Sequence, residues 1–124
     1  MKQIISTPNA PQAIGPYSQA VEANGFVFVS GQIPIVPATG QMPDGIEAQT
    51  EQVMRNIGAI LEAAGLTYSN VVKTTVLLKS IADFATMNGI YAKYFTADCP
   101  ARAAFEVAAL PKGALIEVEV IACK

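Results

Sequence analysis

Two alternating segments toward the C-terminus constrain this chain more tightly than any other feature. Strand side chains point alternately to opposite faces. Between 101 and 109, Ala103, Phe105, Val107 and Ala109 share one face, and Arg102, Ala104 and Glu106 share the other. Between 116 and 120, Ile116, Val118 and Val120 form the apolar set, with Glu117 and Glu119 opposite. A tight turn over Leu110-Pro111-Lys112-Gly113 predicts a hairpin that pairs 104 with 119 and 106 with 117, matching apolar to apolar and charged to charged. The expectation is an arginine and several carboxylates on one sheet face, in a chain where 15% of residues are charged. Chemistry is expected there.

The rest of the chain reads as a regular order of elements. Residues 2–6 form an edge strand, and Pro8, Pro11, Gly15 and Pro16 mark an irregular loop. Asn24-Gly25 between 19–22 and 26–30 signals a two-residue hairpin, and 33–43, with three prolines and a glycine, is a loop. Asp44 as N-cap, with Glu47 three residues on, opens a helix. Ile46, Val53, Met54, Ile57, Ile60, Leu61 and Ala64 recur along it at helical spacing, and Gly65 stops it. The β-branched run 71–79 is a strand with Lys73, Thr75 and Lys79 on one face. Ser80 and Asp83 start a second helix, whose stripe is Phe84, Met87, Tyr91, Tyr94 and Phe95. The order is βββαβαββ: an α+β fold, helices on one face of a mixed sheet.

Composition narrows the class. At 124 residues the chain is read as one domain, 1–124. Hydrophobic residues make up 52% and mean hydropathy is +0.36, a surplus for so small a body. No run reaches the length of a membrane span, so the surplus is assigned to subunit contacts and a homo-oligomer is expected. Residues 1–6 lack the apolar core of a signal peptide, which makes the expected location cytoplasmic. Cys99 and Cys123 are read as reduced thiols. With net charge −2 and pI about 5.0, nucleic acid is disfavoured as the main partner. Histidine is absent, which leaves acid-base work to Asp, Glu, Tyr, Cys, Lys or held water. No metal-ligand cluster or cofactor motif is present, so neither metal nor cofactor is expected.

Four segments carry candidate chemistry. Arg102, among alanines, has a fork suited to a carboxylate or phosphate; an ion pair with Glu106 or Glu119 accounts for it as well. Glu117, flanked by Ile116 and Val118, is a carboxylate whose pKa burial would raise, fit for proton transfer or for holding a water. A solvated sheet face explains it equally, and Glu119 is not separable from it by pattern. Tyr17, after Gly15-Pro16, offers a phenol to a ligand or packs at a loop junction. At Ser30-Gly31-Gln32, Gly31 either lets a ligand approach its backbone N–H or marks a bulge.

Taken as an ordered set, Ile14-Gly15-Pro16-Tyr17-Ser18-Gln19-Ala20, Ser30-Gly31-Gln32-Ile33-Pro34, Val72-Lys73-Thr74-Thr75-Val76, Pro100-Ala101-Arg102 and Ile116-Glu117 resemble the RidA/YjgF family of enamine/imine deaminases along essentially the whole chain. The resemblance implies a chorismate-mutase-like fold in a homotrimer whose sheets form a central barrel, with substrate clefts at the subunit interfaces. It implies hydrolysis of 2-aminoacrylate-type enamines and imines to 2-keto acids and ammonia. Carried over by motif, Arg102 resembles the family's carboxylate clamp and Glu117 the glutamate that places or activates water. Tyr17 and Ser30 correspond to cleft residues, Gly31 to a backbone contact, and Asn88 to an asparagine beside the site. Ala104 stands where many members have cysteine, leaving its backbone N–H as the available contact. The segment 95–99 is shorter than in many relatives.

The physical demand of that reaction is modest. An imine hydrolyses unaided, so an anchor, a placed water and one proton relay suffice. The alternative function is a trimeric sensor that binds small keto acids without turnover. A ribonuclease fits the acidic, histidine-free composition least.

Overall fold

The computed structural model describes residues 1–124 and contains one six-stranded sheet and two helices. The strands are β1 (Gln3–Ile5), β2 (Ala20–Ala23), β3 (Phe26–Gln32), β4 (Val71–Leu78), β5 (Ala101–Glu106) and β6 (Ile116–Cys123). The helices are α1 (Ile46–Ala63) and α2 (Phe84–Tyr91), so the chain order is the expected βββαβαββ. Across the sheet the strands run β1-β2-β3-β6-β4-β5, with β4 and β5 parallel and the other pairs antiparallel.

Local chemistry explains most of the elements. Asn24 (φ 55°) and Gly25 (φ 84°) make the left-handed pair that a tight hairpin needs, and β2 and β3 pair in register on either side. α1 ends in a Schellman arrangement: Gly65 takes φ 77°, its N–H donates to Glu62 O, and Leu66 N–H donates to Leu61 O. At the other end the expected Asp44 cap is not made. Gly45 is the N-cap at φ 87°, a conformation open to glycine, and no side chain caps the helix. Ser80 does cap as expected, its Oγ accepting from Ala82 N–H at 3.3 Å, but it opens a 3₁₀ turn (Ile81–Asp83) ahead of α2. α2 stops at Tyr91, so Tyr94 and Phe95 pack from the segment beyond it.

One face of the sheet is covered. Val27 and Val29 of β3, Val76 and Leu78 of β4, and Ile116, Val118 and Val120 of β6 bury against Val53, Met54, Ile57, Ile60 and Leu61 of α1 and Met87 of α2. The opposite face is bare, with Phe26, Phe28 and Phe105 between 38% and 48% exposed.

The expected C-terminal hairpin does not form. β4 lies between β5 and β6, pairing Arg102 with Thr74 and Ala104 with Val76 on one side and Leu77 with Glu117 and Thr75 with Glu119 on the other. Register partners share a face, so Arg102, with buried Thr74, lies on the helix-covered side. Glu117 and Glu119 lie on the bare side. The arginine and the carboxylates are therefore on opposite faces of the sheet, because the strand between them inverts the expected match.

Behind α1, the Tyr68 hydroxyl donates to Met54 O at 2.6 Å, and burial pushes its pKa up to about 12. Gly58 makes room for this ring: a methyl there would collide with the Tyr68 hydroxyl and come within 2.9 Å of Cζ. Gly58→Ala is therefore expected to destabilise the fold by about 1–3 kcal/mol through overpacking, despite alanine's better helix propensity. Urea unfolding measures this directly, and Tyr68→Phe combined with Gly58→Ala should recover part of the loss.

Candidate functional site

Two cavities carry most of the candidate residues. The first, about 420 Å³, opens where β3 ends and β6 begins, and is bordered by the loop carrying Pro11 and Tyr17, by Gly31 and Gln32, by Ile33 and Ile35, and by Lys112 and Glu117. The second, about 540 Å³, lies between α2 and the start of β5, and is bordered by Asn88, Tyr91, Phe95, Cys99, Pro100 and Arg102. No residue borders both.

In the first cavity Glu117 lies directly against Gly31. A Cβ at Gly31 would collide with the Glu117 carboxylate, whose Cδ would be 2.9 Å away. Gly31 sits within the irregular register between β3 and β6, so the bulge and the close approach occur at one residue. The Glu117 carboxylate forms no ion pair and accepts no hydrogen bond from the chain. Burial, reinforced by the Glu119 charge, raises its pKa above the ordinary 4.5. A half-buried carboxylate without a partner is a proton acceptor held closer to neutrality than a surface one.

The loop wall is braced from below. Gln19 is buried, its Oε1 accepting from Thr7 N–H at 2.7 Å and its Nε2 donating to Pro11 O at 2.8 Å. The Ser30 hydroxyl donates to Ser18 O at 2.6 Å, tying the loop to β3. Tyr17 is 52% exposed at the rim, with Ile14 N–H directed at its phenol oxygen at a long 3.4 Å, so its own O–H is free to donate.

In the second cavity Arg102 is held from three sides. Its Nη1 donates to Asn88 Oδ1 at 2.7 Å, and its Cζ lies 4.9 Å from the Tyr91 ring centroid and 5.3 Å from that of Phe84. Tyr91 is fixed in turn by a 2.8 Å hydrogen bond with Thr74, and burial raises its pKa, so the ring stays neutral beside the guanidinium. The ion pair considered from sequence is not formed: Glu106 accepts from Ile81 N–H, and Glu119 is on the other face. The planar cation packs on two aromatic rings and donates to Asn88, and its remaining donors are free for an anion.

The structure thus groups Tyr17, Gly31 and Glu117 in one place and Arg102 and Asn88 in another. Ser30 braces the first group without bordering its cavity, and Ala104 is half-buried against the core, bordering neither cavity. Tyr91 and Phe84 had been visible as an aromatic stripe, and the arginine two residues after Pro100 was the available sign that they also seat a cation. Lys112 at the first cavity, with φ 57°, carried a signal in the Pro-Lys-Gly turn.

Residues 7–124 match the family model described as Endoribonuclease L-PSP. The chain is 55% identical over 98% of its length to Reactive Intermediate Deaminase A, chloroplastic, of Arabidopsis thaliana, of which it spans 65%. It is 52% identical over 98% of its length to human 2-iminobutanoate/2-iminopropanoate deaminase, spanning 90% of that protein. A crystal structure of the Rid-family protein YyfA from Yersinia pestis superposes with a TM-score of 0.98 at 52% identity over the full length of both chains. Sequence and fold agree: the chain belongs to the RidA/YjgF family.

Proposed function

We propose that this protein hydrolyses reactive 2-aminoacrylate-type enamine and imine intermediates to 2-keto acids and ammonia, acting as a 2-iminobutanoate/2-iminopropanoate deaminase. The observation that carries the reading is the unpartnered Glu117 carboxylate against Gly31, its pKa raised by burial. Arg102 supplies the matching anchor for a substrate carboxylate. Relatives named as deaminases of this substrate class share half or more of the sequence.

Each step balances with the groups present. The Arg102 fork clamps the substrate carboxylate and leaves the imine carbon facing Glu117. Glu117 takes one proton from water as the oxygen adds to the carbon of the protonated imine, then returns it to nitrogen, giving a carbinol that carries an ammonium group. The C–N bond breaks with its electron pair on nitrogen while the carbinol O–H pair becomes the second C–O bond; that proton passes to Glu117 and on to the departing ammonia, leaving the keto acid. Tyr17 supplies a hydroxyl donor at the rim. Gly31 offers backbone contact, while Ser30 and Asn88 hold the loop and the guanidinium. The Ala104 backbone lies two residues along β5 from the clamp.

Arg102 and Glu117 lie on opposite faces of one sheet, so we place the complete site between subunits, Arg102 from one and Glu117 from its neighbour. The assembly we propose is a homotrimer of chorismate-mutase-like domains, 1–124, whose bare faces meet in a central barrel; exposed Phe26, Phe28 and Phe105 support it. A cytoplasmic setting fits the two free thiols, and no helix is long and apolar enough to cross a membrane. A net charge of −2 offers little to a nucleic acid.

Mixing tests the shared site. Arg102→Ala and Glu117→Gln proteins, each inactive alone, are unfolded together in equal amounts and refolded. In a random trimer about one quarter of the sites combine an intact arginine with an intact glutamate, so about a quarter of the parent activity should return. If Arg102 and Glu117 of the same subunit formed the site, mixing would return none. Gly31→Ala is a separate check: the added methyl displaces the Glu117 carboxylate, and kcat is expected to fall about tenfold or more. Steady-state ammonia release measures it.

A further inference from the structure

We propose that Thr74 is a positioning residue for the carboxylate clamp: through its hydrogen bond with the Tyr91 hydroxyl it fixes the ring on which the Arg102 guanidinium lies, so that the clamp is oriented before substrate arrives. This rests on Arg102 anchoring the substrate carboxylate, as read above, and adds the buried group that sets the anchor's direction.

The three side chains that hold Arg102 form one stripe of α2. Phe84, Asn88 and Tyr91 are spaced i, i+4 and i+7, which puts them on a single helix face. Each meets the guanidinium, Asn88 by a hydrogen bond and the two rings by contact with Cζ. Two side-chain hydrogen bonds join this helix to the sheet: the one from Arg102 itself and the one between Thr74 and Tyr91. Only the second is independent of the guanidinium.

Thr74 stands where such a tie is needed. It is the register partner of Arg102 on the neighbouring parallel strand, and the two share the helix-covered face. It is fully buried, and valine would fill the same volume there. What threonine adds is a hydroxyl, whose one hydrogen-bond partner is the Tyr91 hydroxyl at 2.8 Å. That bond offsets the cost of burying the group. It also acts on orientation. Tyr91 ends α2, and its ring packs on Phe95 with centroids 4.7 Å apart and planes tilted by 43°. Packing alone lets a ring slide or tilt; a hydrogen bond at the phenol oxygen ties its far end to β4. With Arg102 on β5 beside it, Cζ is kept 4.9 Å from the ring centroid and the fork has one orientation at the second cavity. The carboxylate it receives is common to substrate, transition state and keto acid. Loosening the seat therefore weakens all three alike: KM and keto-acid inhibition constants rise, and kcat holds.

The test reads binding against turnover in the intact protein, with 2-iminopropanoate generated in situ as substrate and pyruvate as inhibitor. Thr74→Val keeps the volume and removes the hydroxyl; Tyr91→Phe keeps the ring and removes the partner. Each is expected to raise KM and the pyruvate inhibition constant together by about three- to tenfold, the scale of one side chain left to be ordered on binding, with kcat changed less than about twofold. Combining the two should cost no more than the larger single effect, because both remove one bond. Thr74→Ser, which restores the hydroxyl, should recover most of the loss. In an Arg102→Ala background Thr74→Val should lower kcat/KM no further, since no guanidinium remains to be positioned. Unchanged KM in both single variants, a fall in kcat with pyruvate inhibition intact, or the same loss in the Arg102→Ala background would each overturn the proposal; the last is the mark of a merely structural threonine. Arg102→Ala alone separates the two readings. If it leaves pyruvate inhibition unaltered, the clamp itself fails; if it weakens inhibition while Thr74→Val and Tyr91→Phe do not, only the positioning role of Thr74 fails.

Discussion

Arg102→Ala is expected to lower kcat/KM for a 2-imino acid by about 30- to 1,000-fold, the equivalent of about 2–4 kcal/mol for losing a desolvated charge pair. The guanidinium is braced by Asn88 and by the Tyr91 and Phe84 rings, so little of its orientation has to be bought on binding. Arg102→Lys should recover only part of the loss, because a point charge cannot form the two parallel bonds of the fork. The side chain is exposed and makes no ion pair in the chain, so the thermal midpoint should move little. Keto-acid inhibition should weaken in proportion to kcat/KM, the pattern of an anchor for the carboxylate common to substrate and product. An intact Arg102→Ala protein with full activity would remove Arg102 from the site.

The second large effect is at Glu117. Glu117→Gln keeps the shape and loses the proton acceptor, and kcat should fall about 10²- to 10⁴-fold with keto-acid binding retained. A protein that only sensed keto acids would lose nothing. The raised pKa fixes two pH effects. Deamination needs the ionised form, so the acid limb of the kcat profile should lie above 4.5 and vanish in the variant. Stability responds in the opposite sense. A carboxylate whose folded pKa exceeds its unfolded value makes the native state the better proton binder between the two, so stability falls as pH rises through that interval. Glu117→Gln should therefore be at least as stable as the parent at neutral pH, with the difference fading below about 4.5. Thermal unfolding across pH measures it, and greater instability of the variant at pH 7 would contradict the burial argument.

What the sequence disclosed divides along chain distance. The β2–β3 hairpin was legible because Asn24-Gly25 specify their own turn, and the α1 stop because Gly65 supplies the left-handed residue that the motif requires. The 101–109 and 116–120 segments also alternate correctly, yet alternation states which residues share a face of one strand and not which strand lies alongside. β4, equally β-branched, separates the two, and a parallel β4–β5 pairing leaves no turn signal to read. That single intervening strand moved Arg102 away from the carboxylates. Motifs named the residues of the proposed site. Their division between two cavities was not legible in them, since it depends on sheet order. Asp44 shows the same limit on a smaller scale: a good cap residue was passed over because Gly45 could take a backbone angle that let the helix start one position later.

The position of β6 bears on synthesis as well as on catalysis. It is the sixth strand to be translated yet lies inside the sheet between β3 and β4. About 45 residues separate the end of β4 from the end of β6, or about 2–9 s of elongation at about 5–20 residues per second. Through that interval the nascent chain carries two unpaired inner edges and half a core, the condition under which strands of neighbouring nascent chains join. Glu117 arrives on the same strand. Completing the sheet and acquiring the proposed proton acceptor are thus one event, and a polypeptide released early would be sticky and would lack that group.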